Sequence, residues 1–107
     1  MVTDEALEKA LDYLRDEATD IATKRAQRLY LEDFSRVIKA TIMAEHLAEP
    51  VNAQERYAYS DTRYLNHLEA LKIAVYEDEK ARYLREAAAV KIEVYRTEQA
   101  TLRSLKI

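Results

Sequence analysis

Apolar and small residues recur every three or four positions through the first half of the chain. The row starts at Leu7 and Leu11 and runs to Ala48. This spacing places the residues on one face of an α-helix. No Gly or Pro occurs between Thr3 and Glu49, so nothing interrupts the pattern. The first half therefore predicts one long helix over about residues 4–48, with Thr3 as its N-cap.

The second half repeats the pattern after a short interruption. Pro50 disfavours helix at the residue before it, so residues 49–60 are expected to form a turn. Within it, Asn52 and Glu55 have the spacing of a capping box and predict a short helical turn. A second long helix is predicted from about residue 61 to 105, with Ser60 or Asp61 as its cap.

The charge distribution predicts how the two helices meet. Residues 1–20 carry seven acids and two bases, a sum of −5, whereas residues 80–107 carry seven bases and three acids, a sum of +4. An antiparallel arrangement lays these ends side by side, and the charges then select the register. The chain is predicted to be a single all-α domain over residues 1–107, built as a helical hairpin.

The second predicted helix has apolar residues on more than one face, among them Ile73, Tyr76, Val90 and Val94. Two helices cover only one face of each other, so the remaining apolar surface is expected to seek a partner. The hairpin is therefore predicted to self-associate, most simply as a dimer that forms a four-helix bundle.

A competing interpretation breaks each helix at its charged middle and folds the pieces into a monomeric bundle. The breaks would fall at Lys24-Arg25 and at residues 77–80. No turn-forming residue supports them.

Composition excludes several classes of chemistry. The 107 residues include no Gly, no Cys and one Pro, so glycine-rich phosphate loops and thiolate metal sites are absent. The net charge of −3 gives no bulk attraction to nucleic acid or anionic membranes. No apolar run reaches the roughly 20 residues of a bilayer span, and the N-terminal residues show no signal pattern. A cytoplasmic protein with no membrane contact is expected.

The polar residues do not form a convincing catalytic or metal-binding motif. His46 and Glu49 have a spacing that could face one metal ion, but a dinuclear site needs such motifs on two helices. Both histidines, His46 and His67, are expected at solvated helix ends near the turn. Neither histidine has a sequence context that marks a triad with a serine. The protein is predicted to be no enzyme and to have no cofactor.

Tyrosine is unusually frequent, with eight residues beside one Phe and no Trp. Tyrosine and arginine together suit protein interfaces, stacking on single-stranded nucleic acid or packing at helix seams, and all three interpretations remain open. Two candidate surfaces combine these residue types. The turn surface comprises Arg56, Tyr57, Tyr59 and Arg63, and the C-terminal surface comprises Lys91, Tyr95, Arg96 and Arg103.

Three segments together resemble a family of small all-helical bacteriophage and prophage proteins encoded near recombination and replication genes. The segments are residues 57–61, residues 64–72 and the stretch Lys-Ile-Glu-Val-Tyr-Arg-Thr-Glu-Gln-Ala at 91–100. Other members are expected to carry Trp where this chain has Tyr95. The resemblance implies a role beside phage DNA replication or recombination functions and brings no catalytic motif.

These observations lead to three hypotheses. The first is a non-enzymatic accessory protein that binds another macromolecule, a protein of phage replication or recombination, through the C-terminal surface. The second is a structural or scaffolding helical oligomer, in which the seam residues matter and the basic face does not. The third is a single-stranded DNA-binding protein, which the net charge of −3 disfavours.

Overall fold

The computed structural model describes residues 1–106, in which the chain forms four α-helices and no strand. They are α1 (Asp4–Asp16), α2 (Ala18–Ala44), α3 (Val51–Ser60) and α4 (Thr62–Leu105). Two of them are long, with 27 residues in α2 and 44 in α4. The predicted all-α class with two long helices is thereby confirmed.

The first helical stretch is divided, unlike the uninterrupted helix predicted over residues 4–48. Glu17 separates α1 from α2 with φ −97° and ψ 0°. Its N–H still donates to the Tyr13 carbonyl, and its own carbonyl accepts from the Ile21 N–H. Helical hydrogen bonds therefore continue on both sides, and the interruption is confined to one residue. No Gly or Pro in the sequence announces it.

The long helix also ends earlier than predicted. α2 stops at Ala44, and the Glu45 and His46 N–H groups bond to carbonyls three residues back, at Ile42 and Met43. This tightening converts the last turn from α-helix to successive turns. The predicted end at residue 48 is therefore too late.

Helix starts agree with two of the three caps expected. Thr3 Oγ1 accepts from the Ala6 N–H at 3.1 Å, and Asp61 Oδ1 accepts from the Arg63 N–H at 2.8 Å. The predicted Asn52–Glu55 capping box is wrong, because α3 already begins at Val51 behind Pro50. Asn52 Oδ1 instead accepts from the adjacent Ala53 N–H.

Neither charged middle breaks its helix. α2 continues through Lys24 and Arg25, and α4 continues through residues 77–80. The alternative with helix breaks at these two places is therefore wrong, as expected from the lack of turn-forming residues there.

The helices belong to two compact units, which are described separately. The terminal unit contains residues 1–22 and the chain from Glu79 onward. In it, α1 runs antiparallel to α4, because Val2 N–H donates to Glu98 Oε2 (3.0 Å) and Tyr95 Oη donates to Asp4 Oδ1 (2.7 Å). The buried residues of this unit are mostly small: Ala10, Ile21, Ala81 and Ala88.

The central unit spans Thr23–Asp78. Here α2 runs antiparallel to α4, as contacts at opposite ends show: Lys24 lies 3.7 Å from Glu77, and Glu45 lies 3.0 Å from Arg63. Ile42 is fully buried. The other buried residues of this unit are Ala53, Ala58 and Ala74 with the polar Gln54, His67 and Asp78.

The expected solvation of His67 is wrong. The ring is buried, its Nε2 lies 2.8 Å from Ser35 Oγ, and Phe34 packs with its ring centroid 6.0 Å away. A hydrogen-bond partner for the ring nitrogen and an apolar neighbour for the ring face together make burial of this side chain acceptable. His46 does follow the end of α2, but its half-buried ring stacks on Tyr57 at 4.1 Å.

Candidate functional site

Two residues of the C-terminal surface share one face of α4 in the terminal unit. Arg96 and Arg103 are seven positions apart, which places them about two turns, or roughly 10.5 Å, along one side of the helix. With Tyr95 they line a shallow groove of about 570 Å³. Its other lining residues are Glu93, Thr97, Gln99 and Ala100.

Lys91 lies on a different side of the same helix. It precedes Arg96 by five residues, a rotation of about 140° around the helix axis. It lines a second groove, of about 200 Å³, between α1 and α4. The floor and walls of this groove are mostly apolar, with Lys9, Ala10, Tyr13, Leu84, Ala87 and Ala88. Helical geometry therefore separates Lys91 from Arg96 and Arg103, whereas Tyr95 lies one turn further along and only about 40° around the axis from Lys91.

Tyr95 serves an internal contact. Its ring is half-buried, and its hydroxyl donates to Asp4 Oδ1 at 2.7 Å. This hydrogen bond to a carboxylate raises the pKa of the Tyr95 phenol above its ordinary value. The residue therefore ties the first turn of α1 to α4, and its hydroxyl hydrogen is already donated to Asp4.

The cations of the C-terminal surface differ in how they are neutralised. Arg96 Nη1 lies 3.1 Å from Glu93 Oε1, and both side chains of this ion pair are exposed to solvent. Within residues 1–106, neither Lys91 nor Arg103 forms an ion pair. Exposed pairs such as Arg96–Glu93 contribute little and exchange readily. The groove thus offers two guanidinium groups to an incoming acidic group.

The turn surface is held together by contacts within the central unit. Tyr57 stacks on His46, and Tyr59 packs edge-on against Tyr64 at 5.3 Å with Lys39 Nζ 4.9 Å from its ring. The hydrogen bond to Tyr59 raises the pKa of Lys39. These tyrosines therefore pack at the seam around α3, one of the three roles left open by the sequence.

The remaining two residues of the turn surface have different environments. Arg56 is exposed and, with Tyr57, lines a groove of about 330 Å³ beside α3. Arg63 bonds both Glu45 and Asp61, at 3.0 Å for Nη1 to Glu45 Oε1 and 3.1 Å for Nε to Asp61 Oδ1. These hydrogen bonds lower the pKa of both carboxyl groups and raise that of Arg63. Arg63 therefore joins the end of α2 to the start of α4.

Replacing Arg63 by glutamine is expected to flatten the acid dependence of stability. Both carboxyl groups have lower pKa values folded than unfolded, so their contribution is present at neutral pH and lost as the pH falls through the folded values. Arg63→Gln should lower stability at neutral pH and change it little in acid. Urea unfolding at a series of pH values measures this, with exposed Arg56→Gln as the control. Parallel pH curves for Arg63→Gln and the wild type would contradict it.

Ser35 and His67 form a contact that the sequence analysis did not anticipate. A serine hydroxyl beside an imidazole can be an activated nucleophile. Here the hydroxyl also donates to the Leu31 carbonyl at 3.3 Å, and the imidazole is buried against Phe34. The contact therefore satisfies two polar groups where α2 packs beside α4 within the central unit. Because the two residues are 32 positions apart in the sequence, no local sequence pattern indicates this contact.

A row of exposed apolar residues on α4 belongs to the apolar surface that was expected from the sequence to seek a partner, but its heptad spacing was not identified there. Tyr83, Ala87, Val90 and Val94 succeed one another at spacings of four, three and four. This alternation is the signal of a coiled-coil seam, and it could have been recognised in the sequence. These four residues are called the outer row below.

Comparison with protein-family models, with curated proteins and with solved structures finds no match in any of the three. Within residues 1–106, no set of three or more His, Cys, Asp or Glu side chains is placed to hold a metal ion. No helix in this part of the chain combines the length with the apolar character that a membrane span requires. The function is therefore inferred from the surfaces of the helices.

Proposed function

We propose that this protein is a non-enzymatic accessory protein that binds an acidic segment of another protein through Arg96 and Arg103. The observation that carries the proposal is the groove in which the two guanidinium groups lie on one side of α4. Arginine forms paired hydrogen bonds with carboxylates and is enriched where proteins meet. Arg103 has no ion-pair partner within residues 1–106 that a binding carboxylate would need to displace.

A protein partner is favoured over single-stranded DNA by charge and by aromatic exposure. The two segments of the terminal unit, residues 1–22 and 79–107, contain nine bases and eleven acids, so phosphate would meet no net positive field. Strand binding also needs aromatic faces on which bases stack. Tyr95, the aromatic residue of this groove, is half-buried with its hydroxyl bonded to Asp4.

The resemblance to small phage and prophage proteins supports a partner within phage DNA replication or recombination. A single-strand-annealing recombinase is the first candidate, because genes of this kind are expected beside it. The antiparallel hairpin and its dimerisation into a four-helix bundle belong to the same proposal.

A scaffolding role is the second candidate function. The outer row supports it, because a contiguous exposed apolar stripe on a helix favours assembly with other chains. In a scaffold, changes at Arg96 and Arg103 would leave assembly unaffected. A large, concentration-driven assembly in light scattering would favour the scaffold over the accessory protein.

Reversing both charges of the groove tests the accessory function. Arg96→Glu with Arg103→Glu should weaken binding to a purified single-strand-annealing recombinase by about 10–100-fold, since two favourable contacts become repulsive. Isothermal titration calorimetry measures the affinity, and circular dichroism checks that helicity is kept. Arg82→Glu is the matched control, because Arg82 lies on the same helix and pairs locally with Glu79 and Glu86.

Two outcomes would contradict the proposal. Equal loss in the control variant would assign the effect to overall charge. If the wild-type protein does not bind the recombinase, the proposed recombination partner is wrong. Binding of a labelled oligo(dT) strand that falls steeply with salt would instead favour the DNA-binding alternative.

A further inference from the structure

Tyr83 and Val90 of the outer row face away from α1 within the terminal unit, whereas Ala87 also borders the groove between α1 and α4. Ala81 and Ala88 are buried in this unit, and Tyr83 and Val90 each lie two residues later, about 200° around the helix. Tyr83 is 64% exposed and Val90 is 59% exposed. Large apolar side chains in this setting gain stability when another helix covers them.

The spacing of the outer row defines the flanking positions of a heptad. Tyr83 and Val90 occupy d positions, and Ala87 and Val94 occupy a positions. Glu86 and Glu93 then lie at g on one flank, and Leu84 and Lys91 lie at e on the other. Charged residues at e and g select the partner helix and its direction.

The Glu86 and Lys91 positions of these flanks are complementary to a helix that runs in the same direction. In a parallel pair, the g residue of one helix meets the e residue five positions later on the second helix. Glu86 of each copy therefore meets Lys91 of the other copy. In an antiparallel pair, the g residues of the two helices face each other instead. Glu86 of one copy would then face Glu93 of the other copy, and the two carboxylates would repel each other. Lys91 forms no ion pair within residues 1–106 and is thus available to the second copy.

We propose that the outer row is the interface of a parallel, in-register dimer of this chain, closed on both flanks by Glu86–Lys91 ion pairs. The Leu84 and Lys91 side of the row borders the groove between α1 and α4, where Glu86 of the second copy reaches Lys91. The same register pairs Glu93 with Glu98. Glu98 is bonded to the Val2 N–H and is half-buried, which turns its carboxylate toward α1 and reduces this repulsion.

The interface does not depend on the identity of any other partner. A parallel dimer would place the two Arg96 and Arg103 grooves at the same end of the assembly. A partner with two acidic segments would then bind both grooves, with a gain from effective concentration.

Single cysteines test the orientation directly, because the chain contains none. In a parallel in-register pair, the two copies of a d residue face each other, so Val90→Cys should form a disulfide-linked dimer under mild oxidation. Ala89→Cys, exposed one position away on the same helix, is the control and should cross-link much more slowly. Equal rates for the two variants, or cross-linking only between Val90→Cys and Ala87→Cys chains as in an antiparallel pair, would overturn the proposal.

A charge exchange tests the flanks. Lys91→Glu sets an acid against Glu86 on both flanks of the seam and should weaken the dimer by about tenfold or more, as measured by sedimentation equilibrium. Glu86→Lys with Lys91→Glu exchanges the two charges and should restore most of the affinity. Both sites are exposed, so circular dichroism should show unchanged helicity. A wild-type chain that stays monomeric from micromolar to millimolar concentration would overturn the interface, as would failure of the exchange to restore association.

Discussion

Replacing Ile42 by alanine is expected to lower the free energy of unfolding by about 2–5 kcal/mol. Ile42 is the large side chain with no exposed surface among residues 1–106. The other apolar residues buried in the central unit are alanines. Because methyl groups cannot extend into the vacated space, the cavity should remain and the loss should lie toward the upper part of this range.

Ile73→Ala provides the matched control for this effect. The same atoms are removed in the same unit, but Ile73 is 62% exposed. Its loss should cost less than about 1 kcal/mol. Urea unfolding followed by far-ultraviolet circular dichroism compares the two variants. Equal losses for Ile42→Ala and Ile73→Ala would show that Ile42 is not packed in solution as described.

The helical class could be predicted because the sequence provides two consistent signals. Apolar residues recur with helical spacing, and breakers are almost absent. The interruption at Glu17 could not be predicted, because it keeps the hydrogen bonds on either side and uses no Gly or Pro. The early end of α2 was missed for the same reason, since residues 45–48 read as helix and only Pro50 marks a stop.

The candidate site was predicted unevenly. The pairing of Arg96 with Arg103 follows from their spacing of seven, and the rotation of Lys91 away from them follows from the same helical geometry. The bond from Tyr95 to Asp4 depends on a contact across 91 residues. The opposite charges of the two ends predicted that these segments meet, but a sum of charges cannot fix which residue faces which.

Burial of polar residues was the least predictable feature. His67 and Ser35 are 32 residues apart, so the sequence around either residue gives no sign that the other will be its hydrogen-bond partner. The same holds for Asp78, which is 8% exposed and accepts a hydrogen bond from Arg28. A sequence-based argument places such charges on solvated faces because most acids lie there. Only the packing of α2 beside α4 in the central unit reveals the partner.

The small size of the buried residues connects stability with association. Apart from Ile21 and Ile42, the apolar residues buried within residues 1–106 are alanines. Larger side chains such as Tyr76, Tyr83, Val90 and Ile73 remain exposed. Each unit therefore buries little apolar area on its own, and covering the exposed residues would add stability. This balance is the physical reason to expect that association and folding are linked in this chain.

Arg28→Met is expected to lower the free energy of unfolding by about 2 kcal/mol, because it leaves a buried carboxylate without its cation. Arg28 Nη1 lies 3.2 Å from Asp78 Oδ2, and the Asp78 side chain is the more buried partner. Arg28 also pairs with exposed Glu32 at 2.9 Å. Glu32→Gln removes only that pair and should change stability by less than about 0.5 kcal/mol.

Combining Arg28→Met with Asp78→Leu should recover at least half of the loss, because an apolar pair needs no charge compensation in the packed seam. A double-mutant cycle measured by urea unfolding gives the coupling directly, with about 1–2 kcal/mol expected between two residues in contact. Additive effects would contradict the buried pair and would imply that Asp78 is solvated in solution. Recovery of stability in the double variant would show that an apolar pair can replace the ion pair. The main role of the ion pair would then be to determine how α2 packs beside α4 within the central unit, and its contribution to the free energy of unfolding would be the smaller one.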